Sequence, residues 1–422
     1  MLKYISLIIG LVSLNAQAQY NWTWTPLAPM PVPISNNAVC EAFVGNDEYV
    51  YSFSGIDTTK LYSGINLRSF KYDVAGDSWS EIASLPDTLG KIAAGASYVN
   101  GKIYIIGGYH VFSNGSELSS DKVHIYDPTT DTYEADGAPI PVPIDDQVQC
   151  VYKDSLIFVV TGWSNTSNKP DVQIYDPANN HWLVGTPVPN NNSFKAFGAS
   201  GHIIGDTLYY HGGTSGSFSF AARTFMRKGY INPSDPTDIS WTQMDDAPGD
   251  SGYRSACSGI GNNVFWVGGA AVAYNYNGVA YNGSGGVDPS ARILHFTVHN
   301  YQHNDQIAEP YGVMDLRGIA KLSNDRWIIC GGMDTNQVVS NRTFLLENPQ
   351  LNIEEPLLDD LKIRSFEDRL EIFVPSKLDF ELIDLQGRLI QSWQNENQIT
   401  LLKNGNGIHL LKVGEESVKI QL

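Results

Sequence analysis

Positive charge is scarce in this chain. Its 27 Lys and Arg face 45 Asp and Glu, a net charge of −18 over 422 residues. Phosphate backbones and anionic membrane surfaces would be repelled, which argues against nucleic acid as a partner and disfavours an anionic membrane surface. Long apolar runs are missing after the first 18 residues, so no later segment is read as membrane-spanning. Cysteine is also rare, with four residues and no CxxC or Cys/His spacing that suits zinc. The N-terminus has the pattern of a signal peptide over residues 1–18. Lys3 precedes an apolar run from Ile5 to Leu14, and Ala16-Gln17-Ala18 forms a small-x-small cleavage site. That run is too short to span a bilayer, so the mature protein is expected to be exported.

What the chain has is glycine, proline and aromatics. The 39 Gly and 21 Pro suit a turn-rich β protein, and 22 Tyr and 9 Trp supply large packing groups. Six apolar strands end on glycines at Gly55, Gly108, Gly162, Gly213, Gly269 and Gly332, with gaps of 53, 54, 51, 56 and 63 residues. A period near 50 is too long for one helix or hairpin, so each unit is a supersecondary element that buries its face against its neighbours.

The second unit is the clearest. Ala93 to Val99 is a small-residue strand, Asn100-Gly101 a type I′ turn, and Lys102 to Ile106 the returning strand before Gly107-Gly108. Val123 to Tyr126 alternates as a third strand, Asp127 to Asp131 turns, and Tyr133 opens a fourth. Tyr72-Asp73 to Trp79, Tyr126-Asp127 to Tyr133 and Tyr175-Asp176 to Trp182 repeat one seven-residue step. The fourth unit stretches it between Tyr230 and Trp241. An aromatic fixed in an outer strand packs one sheet on the next.

Two glycines after an apolar strand, then Tyr-Asp, then Trp, resembles the kelch repeat of β-propellers over about residues 20–349. Ser54-Gly55 and Thr161-Gly162 depart from it, and the fifth and sixth units lack a clear Tyr-Asp turn. The sixth unit also lacks its outer Trp strand. Trp24 is followed by Pro31 at the gap that separates Trp79 from Pro86 and Trp182 from Pro189. Trp22 to Pro26 is therefore expected to pair with Arg342 to Leu346 and close a six-bladed all-β ring over residues 19–349. Cys150 and Cys257 fall at equivalent places in units that are not neighbours, beyond the roughly 7 Å Cα limit for bridging. A Cys40–Cys330 bond across the closure stays open.

Residues 350–422 differ in character. Leu370 to Val374, Phe380 to Asp384, Gly407 to Val413 and Ser417 to Ile420 alternate as strands of a small β-sandwich. Ile383 to Ile390, Gly407 to Leu410 and Lys419 resemble the type A C-terminal sorting domain of the type IX secretion system of Bacteroidota. His409 stands where that family usually has Tyr. The resemblance implies passage across an outer membrane by that machinery, then release or surface attachment, with the tail cleaved. A plain binding module is the other reading of this tail.

Propellers carry ligands at the channel mouth. Alignment on the glycines brings Asn37, Ala93, Gln147, Gly198, Arg254 and Arg317 there, with Lys91, Asp145, Asp146, Lys195, Tyr253 and Asp315 nearby. Tyr109, His110, Trp163 and Asp334 follow the glycines. Arg254 with Arg317 would hold a carboxylate bidentately, Asp146 would accept sugar hydroxyls, and an aromatic would stack on a sugar face. Arginine here also serves kelch repeats as a brace between loops. No cofactor or metal is expected. His295, His299 and His303 share a helical spacing but fall in and after a strand, and His110 and His211 are isolated. Asp87, Asp154 and Asp206 begin triplets that resemble Bacteroidota O-glycosylation sites. Two functions follow: a secreted or surface propeller binding glycan or protein at its mouth, or an enzyme on sugar acids resembling the sialic acid mutarotase among secreted six-bladed kelch proteins. A structural part of an extracellular assembly is a third.

Overall fold

A computed structural model describes residues 21–216, 220–298, 301–323, 325–348, 351, 362–365, 369–384, 388–402, 408–413 and 416–421. The signal segment 1–18, the linker apart from Leu351, His299, Leu385 to Gly387 and Gly407 lie outside these. The chain divides into two compact units, with the boundary between Gln350 and Leu351.

The first unit is an all-β propeller. Sheet 1 comprises Ala38–Val44, Asp47–Ile56, Ile65–Asp73 and Ser78–Ile82. Sheet 2 comprises Ile92–Val99, Lys102–Val111, Val123–Asp127 and Thr132–Tyr133, with Glu117–Ser119 added beside the second strand. Sheet 3 runs Val148–Tyr152, Leu156–Val160, Val172–Asp176 and His181–Gly185, and sheet 4 Phe197–Ile204, Thr207–Thr214, Met226–Asn232 and Asp235–Gln243. Sheet 5 runs Ala256–Ile260, Asn263–Val267, Arg292–Thr297 and Gln302–Ile307. Sheet 6 takes Ala320–Leu322, Arg326–Cys330 and Thr343–Glu347 from late in the chain and Thr23–Leu27 from its start. Trp24 lies opposite Leu346 in that antiparallel pair.

The turns explain the repeat. Asn100 (φ 49°) and Gly101 (φ 79°) are both left-handed, as a type I′ turn requires. Ser54 (φ 53°) and Thr161 (φ 48°) take the left-handed place that Gly107, Gly212, Gly268 and Gly331 hold elsewhere. The departures from Gly-Gly thus keep the backbone path and carry its cost in strain. Each Tyr-Asp tyrosine reaches the turn after it: Tyr72, Tyr126 and Tyr175 donate to Asp77 (2.6 Å), Asp131 (3.0 Å) and Asn180 (2.6 Å).

The outer aromatics join each sheet to the one before. Trp182 Nε1 donates to Ala138 O at 2.8 Å, Trp241 Nε1 to Thr186 O at 2.9 Å and Trp79 Nε1 to Ala28 O at 3.0 Å. Trp24 Nε1 reaches Glu309 Oε2 at 2.7 Å, which ties the closing strand to the loop after sheet 5. Near the axis, Lys321 N donates to Glu41 Oε2 of sheet 1 at 2.9 Å, and Lys321 Nζ to Gly259 O of sheet 5 at 2.8 Å. The ring is continuous through both sides of its seam. Cys40, Cys150, Cys257 and Cys330 are all free thiols.

The second unit is one antiparallel sheet of Lys362–Ser365, Arg369–Ile383, Leu389–Leu402, Ile408–Val413 and Glu416–Gln421. The two strands expected at Leu370 to Val374 and Phe380 to Asp384 are halves of one strand, with register shifts between Phe373 and Phe380. Ile372, Val374, Phe380 and Leu382 share one parity and one core with Leu401 and Leu411. That shared parity lets the strand run through its irregular middle without exchanging faces.

Candidate ligand site at the channel mouth

Six left-handed residues, one from each repeat, stand at or just before the start of the innermost strands: Asn36, Ala93, Asp146, Gly198, Arg254 and Asp315. A circuit of hydrogen bonds joins them. Asp146 N donates to Ala93 O (3.1 Å), Gly198 N to Asp146 O (2.9 Å), Arg254 N to Gly198 O (2.8 Å), Leu316 N to Arg254 O (3.1 Å) and Asn36 N to Asp315 O (3.2 Å). Ala93 N completes it on Asn36 Oδ1 at 2.8 Å. Five of the six are not glycine. Each forced into this conformation costs about 1–2 kcal/mol, so the circuit and the packing around it must hold them there.

The circuit puts Asp146 and Asp315, rather than Gln147 and Arg317, at the places equivalent to Arg254. Arg254 is 1 % exposed. Its Nε and Nη2 donate to Asp146 at 3.0 and 2.6 Å, and its Nη1 donates to Asp315 at 2.9 Å. Its guanidinium also lies over the rings of Tyr253 and Tyr274, 5.3 and 5.5 Å from their centroids. Asp315 further accepts from Ser35 Oγ (2.7 Å) and Asn36 Nδ2 (3.1 Å). Burial raises the Asp315 carboxyl, and Arg254 and Ser35 oppose that rise. Arg317 Nη1 lies 3.6 Å from Asp146, and its Nη2 donates to the Gln147 carbonyl at 2.9 Å. The expected arginines and carboxylates do meet, but they meet each other.

A cavity of about 130 Å³ opens beside this cluster, lined by Tyr109, Glu117, Asp145, Asp146, Trp163, Phe197, Phe220, Asn275 and Tyr281. Its rings stand nearly perpendicular to one another. Trp163 and Phe220 cross at 85° with centroids 5.6 Å apart, and Phe197 and Phe220 at 79° and 5.4 Å. Tyr281 meets Phe220 at 5.1 Å. Asp145 is 3 % exposed. Its Oδ2 accepts from Ser119 Oγ at 2.5 Å, and no described group donates to its Oδ1. Burial pushes its carboxyl well above the usual range, and the adjacent Asp146 charge adds to the rise. Burial raises Glu117 too. The Tyr109 hydroxyl stays neutral because burial raises it further still.

Of the other residues expected here, Tyr253 is fully buried beneath Phe197 and Tyr274. Asn37 Nδ2 donates to Ser52 Oγ at 2.8 Å, inside the fold. Gln147 and Arg317 line a second cavity of about 180 Å³ along the innermost strands, with Cys40, Cys150 and His202. Gln147 Oε1 and Arg317 Nε have no hydrogen-bond partner there among the described residues. Lys91 is absent from both cavities. Its Nζ pairs with Asp87 Oδ2 at 2.8 Å and meets His124 Nε2 at 3.1 Å, fully buried. Lys195 is half-buried and lines neither cavity. His110 binds the Gly90 carbonyl (2.9 Å), and Asp334 pairs with Arg342. No group of three His, Cys, Asp or Glu suited to a metal occurs among the described residues.

Glu117, Phe197, Phe220, Asn275 and Tyr281 were not expected at the site. Asn275 and Tyr281 come from the insertion that stretches the last glycine gap to 63 residues. Its bridges, Tyr274 with Ala280 and Val279 with Gly286, fold it on itself. Buried Ala273, Tyr274 and Ala280 then pack with Tyr109, Phe197 and Tyr253. The long gap and its tyrosines were the available signal.

A family model described as "Kelch motif" matches residues 93–135, the span of sheet 2. No curated protein matches the chain. A solved structure titled "Structure of YjhT" is similar over 78 % of this chain and 98 % of its own, with a TM-score of 0.61 and 15 % identity. That likeness speaks for the fold. The chain therefore carries a kelch motif within a β-propeller.

Proposed function

We propose that this protein is a kelch-type propeller that works outside the cell and binds a carbohydrate in the cavity between Trp163, Tyr109 and Asp145. One observation carries this reading: half-buried aromatic rings and hydrogen-bonding carboxyl groups share one cavity beside a rigid ring of backbone. Ligand sites combine apolar aromatic walls with a few placed polar groups. The cavity is well below the roughly 300–1,000 Å³ of drug-sized sites, so it fits a single sugar ring rather than an extended chain. The signal segment and the resemblance of the tail to a type IX sorting domain support export and surface delivery.

A sugar-acid enzyme would need its arginines free for the substrate carboxylate. Arg254 is committed to Asp146 and Asp315, so carbohydrate binding is favoured over that activity. A glycan array with the intact protein tests the proposal. Specific glycans should bind the wild type and be lost from Trp163→Ala, whose fold should persist by circular dichroism. Retention of every bound glycan by Trp163→Ala would remove the cavity from the account.

A further inference from the structure

We propose that the mouth cavity selects a ligand bearing an ammonium group, with a hexosamine or a quaternary amine as the two sources of that chemistry. This deepens, and rests on, the assignment of the cavity as the ligand site. Three carboxyl residues line it, Glu117, Asp145 and Asp146, and no Lys, Arg or His does. The nearest guanidinium, Arg254, is already matched by Asp146 and Asp315 at 2.6 to 3.0 Å. That leaves Asp145 and Glu117 without an ion pair of their own among the described residues. Asp145 is the sharper case. It is almost fully buried, lines the cavity, and lacks any donor to its Oδ1. A buried carboxyl facing such a cavity stands to gain most from a ligand that brings positive charge.

The walls fit the same ligand. Trp163, Phe197, Phe220 and Tyr281 cross at 63° to 85°, so they offer ring surfaces from several directions. A cation held among such rings gains from each face it meets. A neutral sugar would find hydrogen bonds but no charge to complement. A sugar acid would meet Asp145 and Glu117 with its own carboxylate. Burial raises both of those carboxyls, and the charge of Arg254 opposes the rise only in part.

Isothermal titration of the full chain with glucosamine, choline, glucose and N-acetylglucosamine tests this. Glucosamine or choline should bind about tenfold more tightly than glucose, a difference of cation–π and ion-pair size. N-acetylglucosamine, whose nitrogen is uncharged, should match glucose. Glu117→Gln, a change at the rim of the cavity, should narrow the preference, and Asp145→Asn should abolish it, with circular dichroism confirming that both variants fold. Equal binding of glucosamine and glucose, both lost in Trp163→Ala, would overturn the charge preference and leave the cavity as the sugar site. Binding untouched by Trp163→Ala would overturn both. Silence toward both amines at millimolar concentration would overturn the proposal.

Discussion

Arg254 directs its guanidinium at two carboxylates from two other repeats while two phenol rings cover it. The pairing joins sheets 3, 5 and 6 at the point where their chains enter the channel wall. Removing one member of such a pair leaves the others charged, buried and unmatched, at a cost of about 3–5 kcal/mol. Arg254→Ala should therefore lower the urea midpoint substantially, and Arg254→Lys should restore only part, because Lys lacks the planar fork that grips Asp146 twice. An unchanged midpoint in both variants would mean that the cluster is not structural. His202 allows a second test. Burial holds its imidazolium down to about 3, against about 6.5 in an unfolded chain. The unfolded state then takes the proton first, so this histidine's contribution is complete above about pH 6.5 and is lost as pH falls toward 3. Stability measured against pH should fall less steeply in that window for His202→Gln. Parallel curves would place its pKa elsewhere.

The glycines at the ends of the second strands separate two physical roles at the scale of the element. Gly101 sits in a hairpin turn with nothing near a Cβ, so Gly101→Ala carries only the left-handed strain, about 1–2 kcal/mol. Gly212 has the same kind of φ, but a Cβ there would lie 2.2 Å from the Gly252 carbonyl. Gly212→Ala should cost clearly more, and chemical denaturation of the two variants should rank them so. These elements were legible because period-2 patterning, Asn-Gly and Tyr-Asp are local signals. The candidate cavity was legible only in part. Asp146, Tyr109 and Trp163, which line it, were expected near the mouth because a fixed offset from the glycines puts them near the axis. That same offset slipped by one at Gln147 and by two at Arg317, since the left-handed residue that sets the register has no side-chain signature. Glu117, Phe220 and Tyr281 sit in insertions, where the repeat provides no coordinate. Lys91 looked like a mouth residue by position, but its choice between solvent and the buried Asp87–His124 group depends on a neighbour 33 residues away.

At the scale of the whole molecule, stability depends on joining the two ends of the propeller. Trp24 packs edge-on to Phe344 at 5.6 Å and donates to Glu309. Trp24→Ala removes a large buried aromatic, a loss of about 3–5 kcal/mol, and should make unfolding less cooperative as sheet 6 loses its outer strand. Every main sheet of the propeller sends loops toward the mouth, yet the rings and carboxyls of the cavity come from around sheets 2 to 5. The sheets supply the frame, and the unequal insertions supply Glu117, Phe220, Asn275 and Tyr281 to the cavity wall. A crystal structure with the tightest-binding sugar tests that division most directly. The account predicts the sugar against Trp163 and Asp145, with Arg254 still bound to Asp146 and Asp315. A sugar carboxylate or hydroxyl on Arg254, with its two ion pairs broken, would contradict it.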